Sequence, residues 1–364
     1  MSRIDFLKTD TAFIKISDKE YHSDKEAVGS STLKSMMDNP LKGWLEHKNK
    51  IEVKQTDALV MGSLIHTLIL EPEEFNNRFA IAPDNYKQPS DEMLDKIGDK
   101  KVAPYPLEVL TPKGSLSTAK VKKELIEELD SDEDIIYLTP NELANYSYYI
   151  TNKDKYIISQ EMLDNCKTVA QKAIDYKFHI TSPNGEVISF DIDKLKTYNI
   201  FYPEYVFYAY IHPHTLETSL TPKEDFIKCK CKPDFLVGLD IENKIFACYD
   251  LKTAETAGAN EIAVKGAGRY YHLQEALYTK ILEANGLKIY KFRFLVVGKQ
   301  EWATAQEYEY DRVAKDLGLD HLRKALKQFK KAKEGVIKEG VFDIETGEYQ
   351  LEPVVTVPTY MFYK

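Results

Sequence analysis

Two aspartates and one lysine in the middle of the chain have the residue types and the spacing of an acid–base cluster. Asp234 stands at the start of one apolar run, and Asp250 and Lys252 stand at the end of the next. The polar stretch between the runs is typical of the turn of a β-hairpin. If this turn centres on Glu242, Asp234 and Asp250 face each other across the hairpin, with their Cβ atoms about 5 Å apart. Lys252, two residues further on, then lies on the same face.

Side chains of these types, when held together, favour binding of a divalent metal ion. Two neighbouring carboxylates repel each other unless positive charge lies between them, and Mg²⁺ prefers carboxylate, carbonyl and water oxygens. A lysine there can orient or deprotonate a water molecule, or neutralise charge on a phosphate. Such a set is suited to hydrolysis of a phosphodiester. The alternative is structural: Asp234 begins a strand, Asp250 ends one, and Lys252 pairs with either of them at the surface.

Three further features bear on this choice, and each is weak alone. His66 interrupts a helix that is otherwise nearly all apolar, where a histidine is either a hydrogen-bonded core residue or a ligand. Gln274 and Tyr278 share one face of a predicted helix through their i, i+4 spacing, which is also the pattern of an ordinary half-buried helix. Glu217 is an acid at the start of the strand region.

Composition limits the classes of protein that the chain can be. The 364 residues carry a net charge of −9 and are 43% hydrophobic and 29% charged, which is typical of a globular protein of one or two domains. The acidic balance argues against general coating of nucleic acid but allows a local basic groove. Four cysteines are too few for a disulfide scaffold. No apolar run approaches the roughly 18 residues of a membrane span, and no signal peptide is evident, so a cytoplasmic location is expected.

Hydrophobic periodicity changes along the chain from helical to strand-like. Helices are predicted over 28–50, with an interruption at Asn39-Pro40, and over 57–70, 115–130, 139–152 and 159–176. Thr139 as N-cap, with Glu142 three residues later, predicts a capping box at the start of the helix over 139–152. The stretch 82–114 has little periodicity and is predicted to be a long loop or a partly ordered segment. Strands are predicted at 186–192, 204–211, 225–231, 234–239, 245–251 and 290–297, with helices at 260–285 and 311–335. The expected fold class is therefore α+β, with a mixed sheet flanked by helices.

The segments around these residues resemble the PD-(D/E)xK nucleases, and most closely the exonuclease VIII (RecE-type) branch. The matching residues are Gly62, His66 and Leu70-Glu71-Pro72 for GxxxHxxxLEP; Lys232-Pro233-Asp234 for (R/K)PD; Asp250 to Thr253 for DLKT; Gln274 and Tyr278 for QxxxY; and Tyr21-His22-Ser23-Asp24, Ser31-Thr32-Leu33-Lys34 and Asn39-Pro40 for an N-terminal pattern. The five motifs occur in the order of that branch and cover about residues 20–80 and 205–300. Lys232 stands where arginine is commoner, and Asp250 where much of the superfamily has glutamate.

The resemblance implies a role for each of these residues. The implied ligands of a divalent ion are the side chains of His66, Asp234 and Asp250 and the carbonyl of Leu251. Lys252 would be the catalytic lysine beside Asp234 and Asp250, and Glu217 would be an acid that often precedes this core. Gln274 and Tyr278 would hold the DNA backbone near the scissile phosphate.

Further basic residues are candidates for contact with phosphates. Lys265 and Arg269 lie just before Gln274 on the helix that is predicted to face the site, and Lys232 precedes the first aspartate. The four cysteines do not frame the core as they do in the iron–sulfur members of the superfamily, so no iron–sulfur cluster is expected.

The resemblance also implies a restriction-endonuclease-like core and a division of the chain. Residues 1–81 would be the N-terminal helical part of the nuclease domain, and 82–180 a loop and helical insertion. Residues 181–310 would form the PD-(D/E)xK core, followed by a C-terminal helix and tail at 311–364.

The implied activity is that of a Mg²⁺-dependent exodeoxyribonuclease, with Mn²⁺ as a substitute ion. Such enzymes degrade one strand of linear double-stranded DNA, 5′ to 3′, and leave 3′ single-stranded tails, which a single-strand annealing protein uses for recombination, commonly in phages and prophages. Processive enzymes of this type often form rings around DNA, so a homo-oligomeric ring is expected. Two alternatives stay open: a structure-specific DNA endonuclease on the same core, and a non-catalytic DNA-binding protein that keeps the core as a scaffold.

Overall fold

The computed structural model of the protein describes residues 16, 18–51, 56–197, 201–203, 205–336, 341–342 and 349–350. The α-helices are α1 (Asp18–Ser23), α2 (Ser30–Asp38), α3 (Pro40–His47), α4 (Asp57–Leu70), α5 (Phe75–Arg78), α6 (Asp91–Ile97), α7 (Lys120–Asp130), α8 (Pro140–Asn152), α9 (Gln160–Ile174), α10 (Ile192–Thr197), α11 (Tyr271–Ala284) and α12 (Arg312–Lys333). Short 3-10 helices span Pro72–Glu74 and Leu107–Val109, and a π-helix spans Glu261–Gly266.

The strands lie between and after these helices. They are β1 (Phe79–Ile81), β2 (Lys101–Pro104), β3 (Ile135–Leu138), β4 (Tyr156–Ile158), β5 (Phe178–Thr181), β6 (Val187–Phe190), β7 (Phe201–Pro203), β8 (Phe207–Ile211), β9 (Thr218–Ser219), β10 (Ile227–Cys231), β11 (Phe235–Asp240), β12 (Ile245–Ala254), β13 (Lys288–Gly298), β14 (Ala305–Tyr308), β15 (Val341–Phe342) and β16 (Tyr349–Gln350). The chain divides into two compact units, of which one comprises residues 1–71 and 168–364 and the other residues 72–167. The predicted α+β class is confirmed.

A five-stranded mixed sheet is the centre of the first unit. Its strand order is β14-β13-β12-β11-β7, in which β12 and β13 run parallel and the other neighbours run antiparallel. A separate three-stranded sheet has the order β10-β8-β9. Because β12 lies between two neighbours, its side chains are buried along most of its length, as is typical of a strand that is covered on both faces.

The hairpin of β11 and β12 has the predicted register. The pairs from Phe235–Tyr249 to Gly238–Phe246 are symmetric about residue 242. The turn contains a bulge, where Asp240 pairs with Ile245. Since β11 begins at Phe235, Asp234 stands immediately before the first backbone pair.

Helices α2, α11 and α12 cover one side of the strands with a continuous apolar core. Helix α11 packs against β8, β10 and β13, and α12 packs against α11, α2 and α3. Fully buried members of this core include Leu33, Leu277 and Leu326, one from each of the three helices. The ring nitrogens of His272 on α11 and His321 on α12 lie 2.7 Å apart. These contacts bring α2 and α11 to the same face of the sheet.

Several predicted helix boundaries are confirmed. Asn39 ends α2 and its side chain accepts a hydrogen bond from the backbone N–H of Lys42, so the predicted interruption before Pro40 is present. Helix α8 begins with the predicted capping box of Thr139 and Glu142. None of the helices in the described ranges combines the length and the apolar character needed to cross a membrane.

Two predicted elements are wrong. The stretch 82–114 is not a long loop, because it contains α6 and β2, and β2 pairs in parallel with β3 about 30 residues later. The single helix predicted over 260–285 is divided, because Tyr270 has a φ of 53°, in the left-handed region that ends regular helical geometry. The π-helix before this point and α11 after it are therefore separate segments.

The second unit, residues 72–167, contains two parallel strand pairs, β1 with β4 and β2 with β3. Small apolar clusters stabilise it. One contains Ile97, Ile136 and Leu138, and the other contains Val109 and Leu110.

Close packing of α12 on α11 yields a stability prediction. A Cβ atom added at Gly318 would lie 2.3 Å from the carbonyl oxygen of His272, and the backbone cannot yield there without moving the helix. We expect Gly318→Ala to lower the free energy of unfolding by about 1–3 kcal/mol, although alanine is the better helix former. Urea unfolding measures the change. Gly268→Ala is the control, since its added Cβ meets no atom within 4 Å, and a Gly318→Ala protein as stable as this control would contradict the packing argument.

Candidate active site

The backbone of β12 positions the first aspartate. The Leu251 backbone N–H donates a hydrogen bond to the Asp234 carboxylate, so the side chain is tied to the strand that it faces. Asp234 is 8% exposed and Asp250 is 2% exposed. The two carboxylates are therefore both buried, one immediately before β11 and the other on β12, as the register of the hairpin predicts.

His66 on α4 lies next to the same backbone segment. Its Nε2 lies 3.1 Å from the Leu251 carbonyl oxygen, which makes Nε2 the donor, and its Nδ1 lies 3.5 Å from Asp234 Oδ1. The neighbouring residues Leu64, Ile65 and Ile69 are buried and anchor the helix. The apolar helix thus brings one imidazole to the aspartate and the carbonyl.

The second aspartate is surrounded by donors. Lys252 forms an ion pair with Asp250, two residues away on the same face of β12, and the side-chain amide of Gln274 donates to the other oxygen of Asp250. The Lys252 side chain is 18% exposed. One buried carboxylate therefore receives an ammonium and an amide from two different elements.

A second lysine reaches the same place from α2. The Nζ of Lys34 donates to Gln274 Oε1 at 2.5 Å. The ammonium groups of Lys34 and Lys252 lie 5.0 and 4.9 Å from the centre of the Tyr271 ring, within the range of cation–π attraction. Tyr271 thus contacts both cations, and its hydroxyl lies 3.4 Å from the Arg269 guanidinium.

Burial and neighbouring charges shift the pKa values of these groups. Burial raises the pKa of Asp250, with Lys252 opposing the shift and Asp234 adding to it. Burial also acts to raise the pKa of Asp234, but His66, Lys252 and the Leu251 N–H outweigh it and leave that pKa lowered. The two carboxylates together raise the pKa of Lys252 against the effect of burial. Burial and the Lys252 ammonium lower the pKa of Lys34 to about 7.

The chemical groups at this place are of the types that bind a hard divalent cation. They comprise the carboxylates of Asp234 and Asp250 and the carbonyl of Leu251, which are oxygen ligands of the kind that Mg²⁺ and Mn²⁺ prefer, together with an imidazole nitrogen of His66. Within the described ranges, no group of three or more His, Cys, Asp or Glu side chains is arranged to hold a metal ion. The Asp250 oxygens accept from Lys252 and Gln274, and an ionised carboxylate keeps further lone pairs with which it could bind a cation.

Glu217 lies away from these residues. Strands β8 and β10 are antiparallel, with Phe207 opposite Cys231 at one end and Ile211 opposite Ile227 at the other. Asp234 follows the first end, whereas Glu217 follows the second, about 13 Å along a five-residue strand. The exposed Glu217 closes a turn, in which its carbonyl accepts a hydrogen bond from the His212 N–H at 2.9 Å.

The structure distributes the predicted phosphate-binding residues over different segments. Lys265 is on the π-helix, where it is exposed and pairs with Glu261 at 2.8 Å, and Arg269 is exposed just before the break at Tyr270. Lys232 is half-buried in the segment that leads to Asp234. The exposed Arg269 contacts the Tyr271 hydroxyl, so it adds positive charge beside the ring that Lys34 and Lys252 contact.

Gln274 and Tyr278 share one face of α11, as predicted, but both are buried. Gln274 is 5% exposed and bonds to Lys34 and Asp250, and Tyr278 is 6% exposed with its ring 6.3 Å from that of Phe292. Their contacts in the structure are with the protein. The predicted role of both in holding the DNA backbone stays a prediction.

The sequence did not single out Lys34 or Tyr271 for a role. Lys34 ends the Ser31-Thr32-Leu33-Lys34 segment of the N-terminal pattern, to which no role was attached. A second signal is that Ser30, Lys34 and Met37 have the i, i+4, i+7 spacing of one helix face, and Ser30 and Met37 are buried. A lysine in line with buried residues is expected to have a partner. Its partner, Gln274, is 240 positions away, which no local pattern could reveal.

Part of the chain is similar to a described protein family. Residues 204–341 match a family described as "PDDEXK-like domain of unknown function (DUF3799)". The match supports a PD-(D/E)xK core. The matched range contains Asp234, Asp250, Lys252 and Gln274 but not α4 with His66. It covers less than half of the chain.

A solved structure, described as a "Putative exonuclease" from Eubacterium rectale, is also similar to the chain. The identity is 12% and the TM-score 0.48, over 94% of this chain and 97% of that chain. No curated protein matches the sequence. The more specific resemblance to the exonuclease VIII branch stays a prediction.

The candidate metal ligands yield a prediction for metal binding. We expect Asp234→Asn and Asp250→Asn each to weaken Mn²⁺ binding at least about 10-fold, because a neutral amide replaces a charged oxygen ligand. Isothermal titration measures the affinity. Asp240→Asn is the matched control, because Asp240 lies at the turn of the same hairpin. Its carboxylate accepts a hydrogen bond there from the Asn243 backbone N–H at 3.0 Å. Unchanged affinity in both aspartate variants would remove them from the metal site.

Proposed function

We propose that the protein is a Mg²⁺-dependent exodeoxyribonuclease that degrades linear double-stranded DNA, 5′ to 3′, and leaves 3′ single-stranded tails. The observation that carries the proposal is the convergence of Asp234, Asp250 and Lys252 on one β-hairpin, with His66 beside them. The match of residues 204–341 to a PD-(D/E)xK-like domain supports a nuclease. Exonuclease action and its polarity rest on the motif resemblance to the exonuclease VIII branch.

The residues of the chain have distinct parts in this proposal. Asp234 and Asp250, with the Leu251 carbonyl and His66, would hold the cation, which supplies positive charge against the phosphodiester oxygens. Asp250 holds the Lys252 ammonium at the site and keeps it protonated. From there Lys252 can neutralise charge on the phosphate and orient the attacking water.

The remaining parts of the proposal concern partners. We infer that the ends of double-stranded DNA are the substrate and that a single-strand annealing protein takes over the tails for recombination, in a phage or prophage setting. A homo-oligomeric ring around DNA would make degradation processive. These inferences have the same support as the polarity, namely the motif resemblance.

Digestion of labelled DNA tests the proposal. Wild-type protein with Mg²⁺ is expected to release nucleotides from 5′-labelled linear duplex first, and to leave covalently closed circular DNA intact. Lys252→Met and Asp250→Asn are expected to lower the rate by about 10²- to 10⁴-fold, because each removes a group from the reacting centre. Asp240→Asn, on the same hairpin, is expected to keep the wild-type rate.

Other outcomes of this assay identify the alternatives. Cutting of the closed circle would show a structure-specific endonuclease. Binding of DNA without any cleavage would show a non-catalytic DNA-binding protein. Full activity in the Lys252→Met protein would mean that the hydrolytic site lies elsewhere.

A further inference from the structure

Lys34 on α2 has no part in the function proposed above, although it reaches the catalytic centre. Its ammonium donates to Gln274 Oε1 at 2.5 Å and lies 5.0 Å from the centre of the Tyr271 ring. The ring lies at a similar distance from Lys252. Lys34 is therefore linked to Asp250 through a single side chain, that of Gln274.

The contact fixes which end of the Gln274 amide faces Asp250. Below its lowered pKa Lys34 is protonated, and an ammonium group is a donor with no acceptor atom, so it selects the amide oxygen. The NH₂ end of the same side chain then points away from Lys34 and donates to Asp250 Oδ2. The reverse orientation would place the amide oxygen against a carboxylate, where two acceptors meet without a proton between them.

Burial makes this orientation consequential. Gln274 is 5% exposed and Asp250 is 2% exposed, so water has little access to replace a lost donor, and an unpaired buried polar group is costly. Helix α2 holds Lys34 in place, because Leu33 and Met36 on either side of it are fully buried. The position of Asp250 thus depends on a residue that is 216 positions earlier in the chain.

We propose that Lys34 is a positioning residue, which holds the Gln274 amide in the orientation that donates to Asp250 and so sets the direction of the Asp250 carboxylate. This inference rests on the proposed function for its kinetic consequence. Its structural content, the orientation of one amide, stands independently of any activity.

Kinetics with four variants test the proposal. Lys34→Met is expected to lower kcat on linear duplex DNA roughly 10- to 100-fold, as loss of a residue that orients a ligand typically does, with KM for DNA unchanged. Lys34→Arg is expected to retain most of kcat, because guanidinium is also a donor without an acceptor. Gln274→Met is expected to resemble Lys34→Met, and the double variant to be no worse than Gln274→Met alone, because the two residues act as one unit.

Lys42→Met is the matched control for loss of a lysine. Lys42 is 60% exposed on α3, and this variant is expected to keep the wild-type kcat and KM. The effects of the two substitutions on kcat could instead multiply in the double variant, or KM for DNA could increase in Lys34→Met. Either result would show that Lys34 contacts DNA directly and would overturn the proposal. A kcat for Lys34→Met equal to wild type would overturn it as well.

A spectroscopic measurement separates this inference from the proposed function. In protein labelled with ¹⁵N-glutamine, the side-chain signal of Gln274 is assigned by its loss in Gln274→Met. Its NH₂ protons are expected to exchange slowly with solvent in the wild type and in Lys34→Arg, and at least about 10-fold faster in Lys34→Met, because the bond to Asp250 is lost. An unchanged signal in Lys34→Met would overturn the positioning role, even if the enzyme cleaves DNA. A protein that cleaves no DNA but shows this change would refute the proposed function and leave the positioning role intact.

Discussion

The burial of two carboxylates on one β-hairpin is the constraint on which the rest of this structure depends. Asp234 and Asp250 are 8% and 2% exposed, and an ionised carboxylate loses much solvation energy when it leaves water. Each therefore needs donors from the protein. The Leu251 N–H and His66 serve Asp234, and Lys252 and Gln274 serve Asp250. Burial raises the pKa of Asp250, whereas at Asp234 the effects of His66, Lys252 and the Leu251 N–H outweigh burial and lower the pKa.

These donors come from separate parts of the chain, and the packing of helices on the sheet brings them together. Helix α4 supplies the imidazole, β12 supplies the N–H and one ammonium, and α11 supplies the amide. Helix α2 adds a second ammonium, Lys34, which donates a hydrogen bond to the amide and also attracts the Asp250 carboxylate electrostatically. The apolar faces of α2, α11 and α12 form one core with the strands, so the polar groups are held by contacts that are themselves apolar.

Much of the fold could be predicted because it follows from local patterns. The hairpin register follows from a polar turn between two apolar runs, and it put Asp234 opposite Asp250. Thr139 and Glu142 marked the start of α8 through a capping box. The stretch 82–114 could not be read in this way, because the strand within it pairs with β3 from outside the stretch.

The site itself was predicted in part, and the missing part is non-local. Glu217 shares the strand region with Asp234 in the sequence, yet the antiparallel pairing of β8 and β10 carries it to the opposite end. Lys265 and Arg269 precede Gln274 in a sequence that favours one helix. The left-handed conformation of Tyr270 separates them from it, and no residue type at that position indicates such a break.

The sequence by itself determined the chemical groups that are available to this protein. They are two acids and a lysine on one hairpin, a histidine in an apolar helix, and an amide that has i, i+4 spacing to a tyrosine. These are features of neighbouring residues, and backbone geometry converts them into faces and registers. Only the tertiary structure decided which donor meets which carboxylate, because those contacts depend on how helices that are distant in sequence pack on the sheet. The bond from Lys34 to Gln274 is of this second kind.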